Sequence, residues 1–83
     1  MTVPIQKATS NADFGRRVGV HYTYASRLRN GQRVPSSHTI NSIRSAFSLD
    51  EHMTSEMIQA AATAEGFGVW ISEHLFEEDP RGA

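Results

Sequence analysis

The chain has 83 residues, no cysteine and a formal net charge of −1 at pH 7. This length allows one small domain with a thin core, and the lack of cysteine excludes disulfides, thiolate zinc sites and cysteine nucleophiles. No apolar run approaches the ~20 residues that span a membrane, and the first ten residues lack the apolar stretch of a secretory signal. We therefore expect residues 1–83 to form a single domain that works inside the cell and not in a membrane.

Basic and acidic residues are separated along the chain. Residues 1–49 hold seven Lys or Arg residues against one acidic residue, whereas residues 50–83 hold eight acidic residues against one arginine. The two parts therefore carry net charges of +6 and −7. Such a division predicts one surface that meets a polyanion and another that stays away from it.

The first predicted helix begins close to the N-terminus, after Ser10. Residues 1–9 show little periodicity, and they form either one helical turn that Pro4 opens or an extended arm. Ser10, with Asp13 three residues later, is typical of a helix N-terminus. This pair predicts a helix over residues 11–17.

The next predicted helix lies between two glycines, Gly19 and Gly31. Gly19 is expected to end the first helix in the left-handed conformation, which glycine adopts without strain. A second helix is predicted over residues 22–30, with Ala25 and Leu28 as its inner stripe, and Gly31 would follow its end. The turn between the two helices is therefore only about four residues long.

Three further helices are predicted, and strand patterning is not found. Ser36 would cap a third helix over residues 37–47. The acidic part is expected to hold a fourth helix over residues 50–65, with Gly66 as its stop, and a fifth over residues 69–77. The apolar stripe of the fourth helix would be Met53, Met57, Ile58, Ala61 and Ala64. The start of the fifth, Val69-Trp70-Ile71, also fits a short strand.

Five features of the basic part share a spacing with a known family. They are Phe14 followed by the small Gly15, the turn Val18-Gly19-Val20, the inner pair Ala25 and Leu28, the loop RNGQRVPS, and the stretch TINSIRSAFSLD. In this spacing residues 10–50 resemble the helix-turn-helix region of lambda-repressor-like and Cro-like phage regulators, the XRE family. The resemblance implies an all-α bundle of about five short helices, with residues 10–49 as its DNA-binding part and the acidic helices of residues 50–83 for packing or dimerisation.

Two departures from the family pattern affect the expected packing. Family members usually have a full helix before the helix-turn-helix, and only ten residues precede it here, so this first helix is reduced or missing. Gly15 replaces the more usual alanine, which weakens the short helix around it. We expect the acidic helices, through Trp70, Ile71 and Leu75, to cover the surface that a first helix would cover.

The second predicted helix carries the candidate base contacts. With Ala25 and Leu28 inward, its opposite stripe consists of Thr23, Ser26, Arg27 and Asn30. A helix fits the major groove, where Arg27 would pair with guanine, Asn30 with adenine, and the two hydroxyls with either kind of base. The family resemblance adds His21 and Tyr22, at the start of the helix, as residues that face DNA.

Other side chains are expected to contact phosphates. The family uses the position of Asn11 on the DNA backbone. The first turn of the third helix has free N–H groups that suit a phosphate oxygen, at Ser36, Ser37 and His38. Arg33, in the loop before that helix, and Arg16 and Arg17, beside the turn, would supply the salt-dependent part of binding.

These residues predict a sequence-specific regulator that binds a double-stranded DNA operator in the bacterial cytoplasm. The chain resembles Cro-type or small immunity repressors of phages, which usually act as dimers, so we expect a homodimer, with a monomer left open. No cofactor, metal site or enzymatic activity is expected, because Glu51-His52 and Glu73-His74 lack metal-ligand spacing. The alternative is an antitoxin-like interaction module that acts through the acidic half, with Phe67, Trp70 and Phe76.

Overall fold

The computed structural model describes residues 5–77 as five helices. They are α1 (Asn11–Val18), α2 (Tyr22–Arg29), α3 (Ser37–Phe47), α4 (Glu51–Ala60) and α5 (Ala64–His74). The extended pairing in this part of the chain is one isolated bridge between Ala8 and Phe76. The predicted all-α bundle of about five short helices is therefore confirmed. None of the helices in residues 5–77 is long and apolar enough to cross a membrane.

Each helix begins after a side chain that accepts a backbone N–H of its first turn. These caps are Ser10, His21, Ser36, Asp50 and Thr63. Such a cap typically stabilises a helix by about 1 kcal/mol, which matters for helices of only eight to eleven residues. The predicted caps Ser10 and Ser36 are confirmed, and so is Gly19, which ends α1 at a φ of 87°.

The core is built around Phe14 of α1. Its ring lies 5.6 Å from the ring of Phe47 in α3 and stacks at 5.0 Å on Phe76, which follows α5. The predicted inner pair of α2, Ala25 and Leu28, has no exposed surface. Three separate parts of the chain therefore share one core, and the C-terminal residues complete it.

The segment before α1 meets the residues that follow α5, because Ala8 contacts Leu75 and Phe76. Residues 5–10 hold no helix, and Pro4 lies outside the described residues. Trp70, Ile71 and Leu75 are buried, as expected, and α5 packs against both α2 and α4. Phe76 then pairs with Ala8, so the segment before α1 is extended at this point.

The predicted boundary between α4 and α5 is wrong. The sequence pattern predicts one helix over residues 50–65 with Gly66 as its stop, but α4 ends at Ala60 and Thr63 caps a new helix. Gly66 lies in the first turn of α5, where its N–H donates to the Thr63 hydroxyl at 2.9 Å. The glycine thus belongs to a helix start, and the residues that separate the helices are Ala61, Ala62 and Thr63.

Three smaller differences separate the predicted helices from the observed ones. The predicted helix over residues 69–77 is the second half of α5, which ends at His74, and residues 69–71 are helical. Ile58 does not belong to the inner stripe of α4, since its side chain is 55% exposed. Three other boundaries shift by one residue, because α1 includes Val18, α2 ends at Arg29, and α4 begins at Glu51 with Asp50 as its cap.

Candidate nucleic-acid interface

The turn between α1 and α2 is held by one carbonyl group. The oxygen of Gly15 accepts the N–H of Gly19 at 2.7 Å and that of Val20 at 2.9 Å. A Cβ atom on Gly15 would stand 2.5 Å from the carbonyl oxygen of Val20, closer than real Cβ contacts come. The turn and the start of α2 therefore lie directly against α1, and this approach fixes the orientation of α2.

The N-terminus of α2 presents three of the predicted base contacts. His21 caps the helix, and its Nδ1 accepts the backbone N–H of Thr23 at 3.2 Å and lies 2.7 Å from the Thr23 hydroxyl oxygen. The ring of Tyr22 packs beside the imidazole at 4.6 Å and is 56% exposed. All three side chains are thus arranged as one cluster that faces solvent.

The remaining predicted base contacts lie one and two turns further along α2. Asn30 Nδ2 donates to the Ser26 hydroxyl at 3.4 Å, and the Asn30 backbone N–H donates to the Ser26 carbonyl at 2.9 Å. Arg27 is exposed, and among residues 5–77 it forms no salt bridge or side-chain hydrogen bond. Its guanidinium is therefore available to a ligand, while Ser26 and Asn30 present their groups as a pair.

The predicted phosphate contacts at α3 surround its first turn. The Ser36 hydroxyl accepts the N–H of Thr39 at 3.2 Å and lies 3.0 Å from the Thr39 hydroxyl. Ser37 and His38 are exposed on this turn, and Arg33 is exposed in the preceding loop without an ion pair in the described part of the chain. Uncommitted N–H groups and positive charge thus occur together at this helix start.

Arg16 and Arg17, both predicted phosphate contacts, have different surroundings. Arg16 is 78% exposed and reaches Asp13 at 3.4 Å, a weak surface pair. Arg17 pairs with Asp13 at 3.2 Å and also donates to the carbonyl groups of Gln6 and Lys7. Arg17 therefore fastens the N-terminal segment to α1, whereas Arg16 remains largely free to meet a ligand.

The Asp13 carboxylate is the acceptor at the centre of this arrangement. Its pKa lies below the ordinary value of 3.8, chiefly because the backbone N–H of Thr9 donates to it and because Arg17 and Arg16 lie nearby. Desolvation raises the pKa of Asp13 and is second in size to the Thr9 hydrogen bond, but the lowering influences together exceed it. Asp13, the acidic residue of the basic part, is thus held ionised and committed to internal contacts.

Asn11, the predicted phosphate contact at the start of α1, is held by a residue that the sequence did not single out. Arg29 donates to the Asn11 side-chain oxygen at 3.4 Å, and its guanidinium carbon lies 4.1 Å from the centre of the Phe76 ring. The side-chain oxygen of Asn11 is therefore engaged within the protein. Arg29 follows the buried Leu28 and does not belong to the predicted stripe of base contacts. The spacing of residues along α2 therefore does not indicate its contacts with Asn11 and Phe76.

The acidic half offers few exposed aromatic groups. Phe67, Trp70 and Phe76 are 0%, 7% and 2% exposed, so the aromatic surface of the antitoxin-like alternative lies inside the core. His52 pairs with Glu56 at 2.8 Å on the surface of α4, and no group of three or more potential metal ligands occurs in residues 5–77. A partner that binds this half would therefore meet acidic side chains and isolated aliphatic ones.

The predicted site residues fall into local groups. His21, Tyr22 and Thr23 form one group, Ser26 and Asn30 form another, and Arg17 and His38 line one groove between α1 and α3. Comparison of the chain with protein-family models, with curated proteins and with solved structures gave no match. The reasons to assign a function therefore come from the chain's own geometry and charge.

Proposed function

We propose that this protein is a sequence-specific regulator that binds double-stranded DNA and places α2 in the major groove. The observation that carries the proposal is the division of α2 into two faces. Ala25 and Leu28 are fully buried, while Thr23 and Arg27 on the opposite side are exposed. A helix with one anchored face and one face of donors and acceptors suits the base-pair edges of that groove.

The base contacts would come from the exposed Thr23, Arg27 and Asn30 and the half-buried Ser26. Arg27 would pair with the O6 and N7 atoms of guanine, and Asn30 with adenine. Ser26 and Thr23 would bond either kind of base, and His21 and Tyr22 would contact the DNA at the start of the helix. Because Asn30 follows the last residue of α2, its reach depends on the cap geometry that its N–H maintains with Ser26.

The phosphate contacts would flank this helix. Arg33 and the first turn of α3, with Ser36, Ser37 and His38, provide positive charge and free N–H groups. Asn11 would bind the backbone through the amide N–H groups that its bond to Arg29 leaves available. Arg16 would add a screened attraction, and the role of Arg17 would be mainly to hold the N-terminal segment near this surface.

Charge separation supports the same function. The net charge of +6 on residues 1–49 favours association with a polyanion, and the net charge of −7 on residues 50–83 favours an orientation in which the acidic half faces away. A small regulator of this kind fits the Cro-type or immunity-repressor class of phages, acting on DNA in the bacterial cytoplasm. A homodimer on paired half-sites is the expected form.

The proposal is tested by measuring DNA affinity as a function of salt. We expect fluorescence anisotropy with a fluorescent duplex to give a logarithm of the binding constant that falls linearly with the logarithm of salt concentration. The slope should be about −0.9 for each phosphate that the protein neutralises. The single strand of the same sequence is the control, and it should bind more weakly. If the protein fails to bind duplex DNA even at low salt, the proposal is wrong.

A further inference from the structure

A shallow groove lies between the end of α3 and the first turns of α4, and no residue of α2 lines it. Its volume is about 440 Å³, and its apolar lining includes the buried Leu49 and the exposed Ile58. Ile58 is 55% exposed, although it lies one residue after the fully buried Met57. An aliphatic side chain with this exposure, at the edge of a partly apolar groove, is suited to pack against another protein surface.

Charges of both signs line the same groove. Arg44 comes from the last turn of α3, and Glu51 comes from the first turn of α4. Neither side chain takes part in a salt bridge among residues 5–77. Asp50 lies between them in the lining, but its carboxylate already accepts the N–H of Met53 at 2.8 Å. The groove therefore offers one uncommitted positive group and one uncommitted negative group beside an exposed apolar side chain.

We propose that this groove binds a second copy of the chain through a two-fold axis, with Ile58 packed across the axis. In a two-fold contact every interaction occurs twice, so a surface binds itself well only if it contains its own complement. Arg44 of each copy would then meet Glu51 of the other. A surface with one sign of charge would repel its copy, whereas this one offers each Arg44 a carboxylate of the other copy.

The other exposed aliphatic side chain on the acidic helices has a less favourable setting. Val69 of α5 is 54% exposed, but the groove beside it contains Glu65 and Glu73. The positive group in that groove is Arg29, whose guanidinium already lies over Phe76 and donates to Asn11. Two copies joined there would bring carboxylates together without free cations, so the groove at Ile58 is the better self-binding surface.

This inference rests on the proposed function only in saying what the dimer is for. A dimer would present two copies of α2 to paired half-sites. Self-association itself needs no DNA. The groove can therefore be tested on the isolated full-length protein, and a failure of dimerisation is distinguishable from a failure to bind DNA.

The charge pairing is tested by mixing two variants. In Arg44→Glu both contacts become acidic pairs, and in Glu51→Arg both become basic pairs, so each variant alone should sediment as a monomer. In an equimolar mixture every contact again joins opposite charges, and we expect a heterodimer by sedimentation equilibrium. Circular dichroism checks that both variants keep their helices. If the folded variants dimerise alone, or if the mixture stays monomeric, the Arg44 to Glu51 pairing is wrong.

The apolar contact is tested with a matched pair of substitutions. We expect Ile58→Ser to weaken the dimer by about tenfold or more, as loss of a central apolar contact does. Val69→Ser removes an aliphatic side chain of almost equal exposure on α5 and should leave the dimer unchanged. The proposal is overturned if the wild-type chain is monomeric at the highest soluble concentration, or if the two substitutions have equal effects on dimerisation.

Discussion

At the scale of the residue, the structure gives a physical reason for glycine at position 15 within a helix. On its own, glycine in place of alanine weakens a helix by about 1 kcal/mol. Here, however, the position lies against the turn, and a Cβ would approach the carbonyl oxygen of Val20 to 2.5 Å. The loss of helix propensity is thus offset by the close approach that the missing side chain allows.

We predict that Gly15→Ala destabilises the fold by about 1–3 kcal/mol, because the turn must shift to admit the methyl group. Urea unfolding of the wild type and the variant measures this difference. Helix propensity alone predicts the opposite sign, so an increase in stability would contradict the close packing of the turn. The exposed position Ala12 provides the control, since Ala12→Gly should show only the ordinary propensity loss of about 1 kcal/mol.

Arg27 and Arg33 should have separable effects on DNA binding. We expect Arg27→Ala to lose about 1–3 kcal/mol at the preferred site and to relax the preference at one base pair. Arg33→Ala should weaken binding to all sequences alike and make the salt slope shallower by about one unit. Anisotropy titrations on the preferred site and on single base-pair variants measure both effects.

A control substitution at Arg27 keeps the positive charge but removes the paired N–H donors of the guanidinium. Arg27→Lys should retain the salt slope and still lose part of the guanine preference, because a lysine cannot bind the base with two parallel bonds in the same way. If Arg27→Ala and Arg33→Ala change the affinity for every sequence by the same factor, the division into base and phosphate contacts is wrong.

At the scale of the element, α5 and the residues after it complete the core that α1 and α2 share. Its residue Gly68 approaches α2 so closely that a Cβ would lie 2.8 Å from the Arg29 carbonyl oxygen. Leu75 and Phe76 then reach α1 and the N-terminal segment, where the Ala8 N–H donates to the Leu75 carbonyl at 2.7 Å. The acidic C-terminal helix is therefore part of the same folding unit as the basic half.

We predict that a chain ending at Ala62, which lacks α5, has no cooperative thermal transition. Truncating a single large buried side chain costs about 2–5 kcal/mol, and this deletion removes several from a fold of ordinary marginal stability. Thermal melting followed by circular dichroism provides the measurement. A chain ending at Glu77 is the control and should melt like the full-length protein. A truncated chain that kept its thermal midpoint would show that α5 is dispensable.

Helix starts were easier to predict from the sequence than helix ends. Ser10 and Ser36 signalled α1 and α3 because their hydroxyls accept a local N–H, a contact that depends on nearby residues alone. The boundary after Ala60 was missed because small apolar residues continue the helical pattern through it, and because Gly66 was interpreted as a stop. The new helix nevertheless has a local signal, because the Thr63 hydroxyl accepts the N–H of Gly66, and the interpretation of Gly66 as a stop overlooked it.

In the candidate site, too, local features are predicted from the sequence and contacts between distant residues are not. The exposed stripe of α2 followed from the spacing of its buried pair, and the structure exposes Thr23, Arg27 and Asn30 as that spacing predicts. The contacts of Arg29 with Asn11 and Phe76 join residues 18 and 47 positions apart, and no periodicity indicates them. The contact of Arg29 with Phe76 forms only when the C-terminal segment has folded back onto the first two helices.

At the scale of the whole molecule, charge and fold act together. All five helices belong to one small core, yet the basic residues concentrate in its first three helices and the acidic residues in its last two. The proposed dimer groove lies where these two parts meet, between α3 and α4. One molecule would thus bind DNA through its basic part and a second copy through the junction with its acidic part.

The most direct test of the central claim is a selection of binding sites from random double-stranded DNA with the full-length protein. We predict enrichment of one preferred sequence, arranged as two half-sites whose centres lie about one helical turn apart. Guanine should occur at the position whose preference Arg27→Ala relaxes. Recovery of DNA without any enriched sequence after repeated rounds would contradict the claim that α2 reads base pairs.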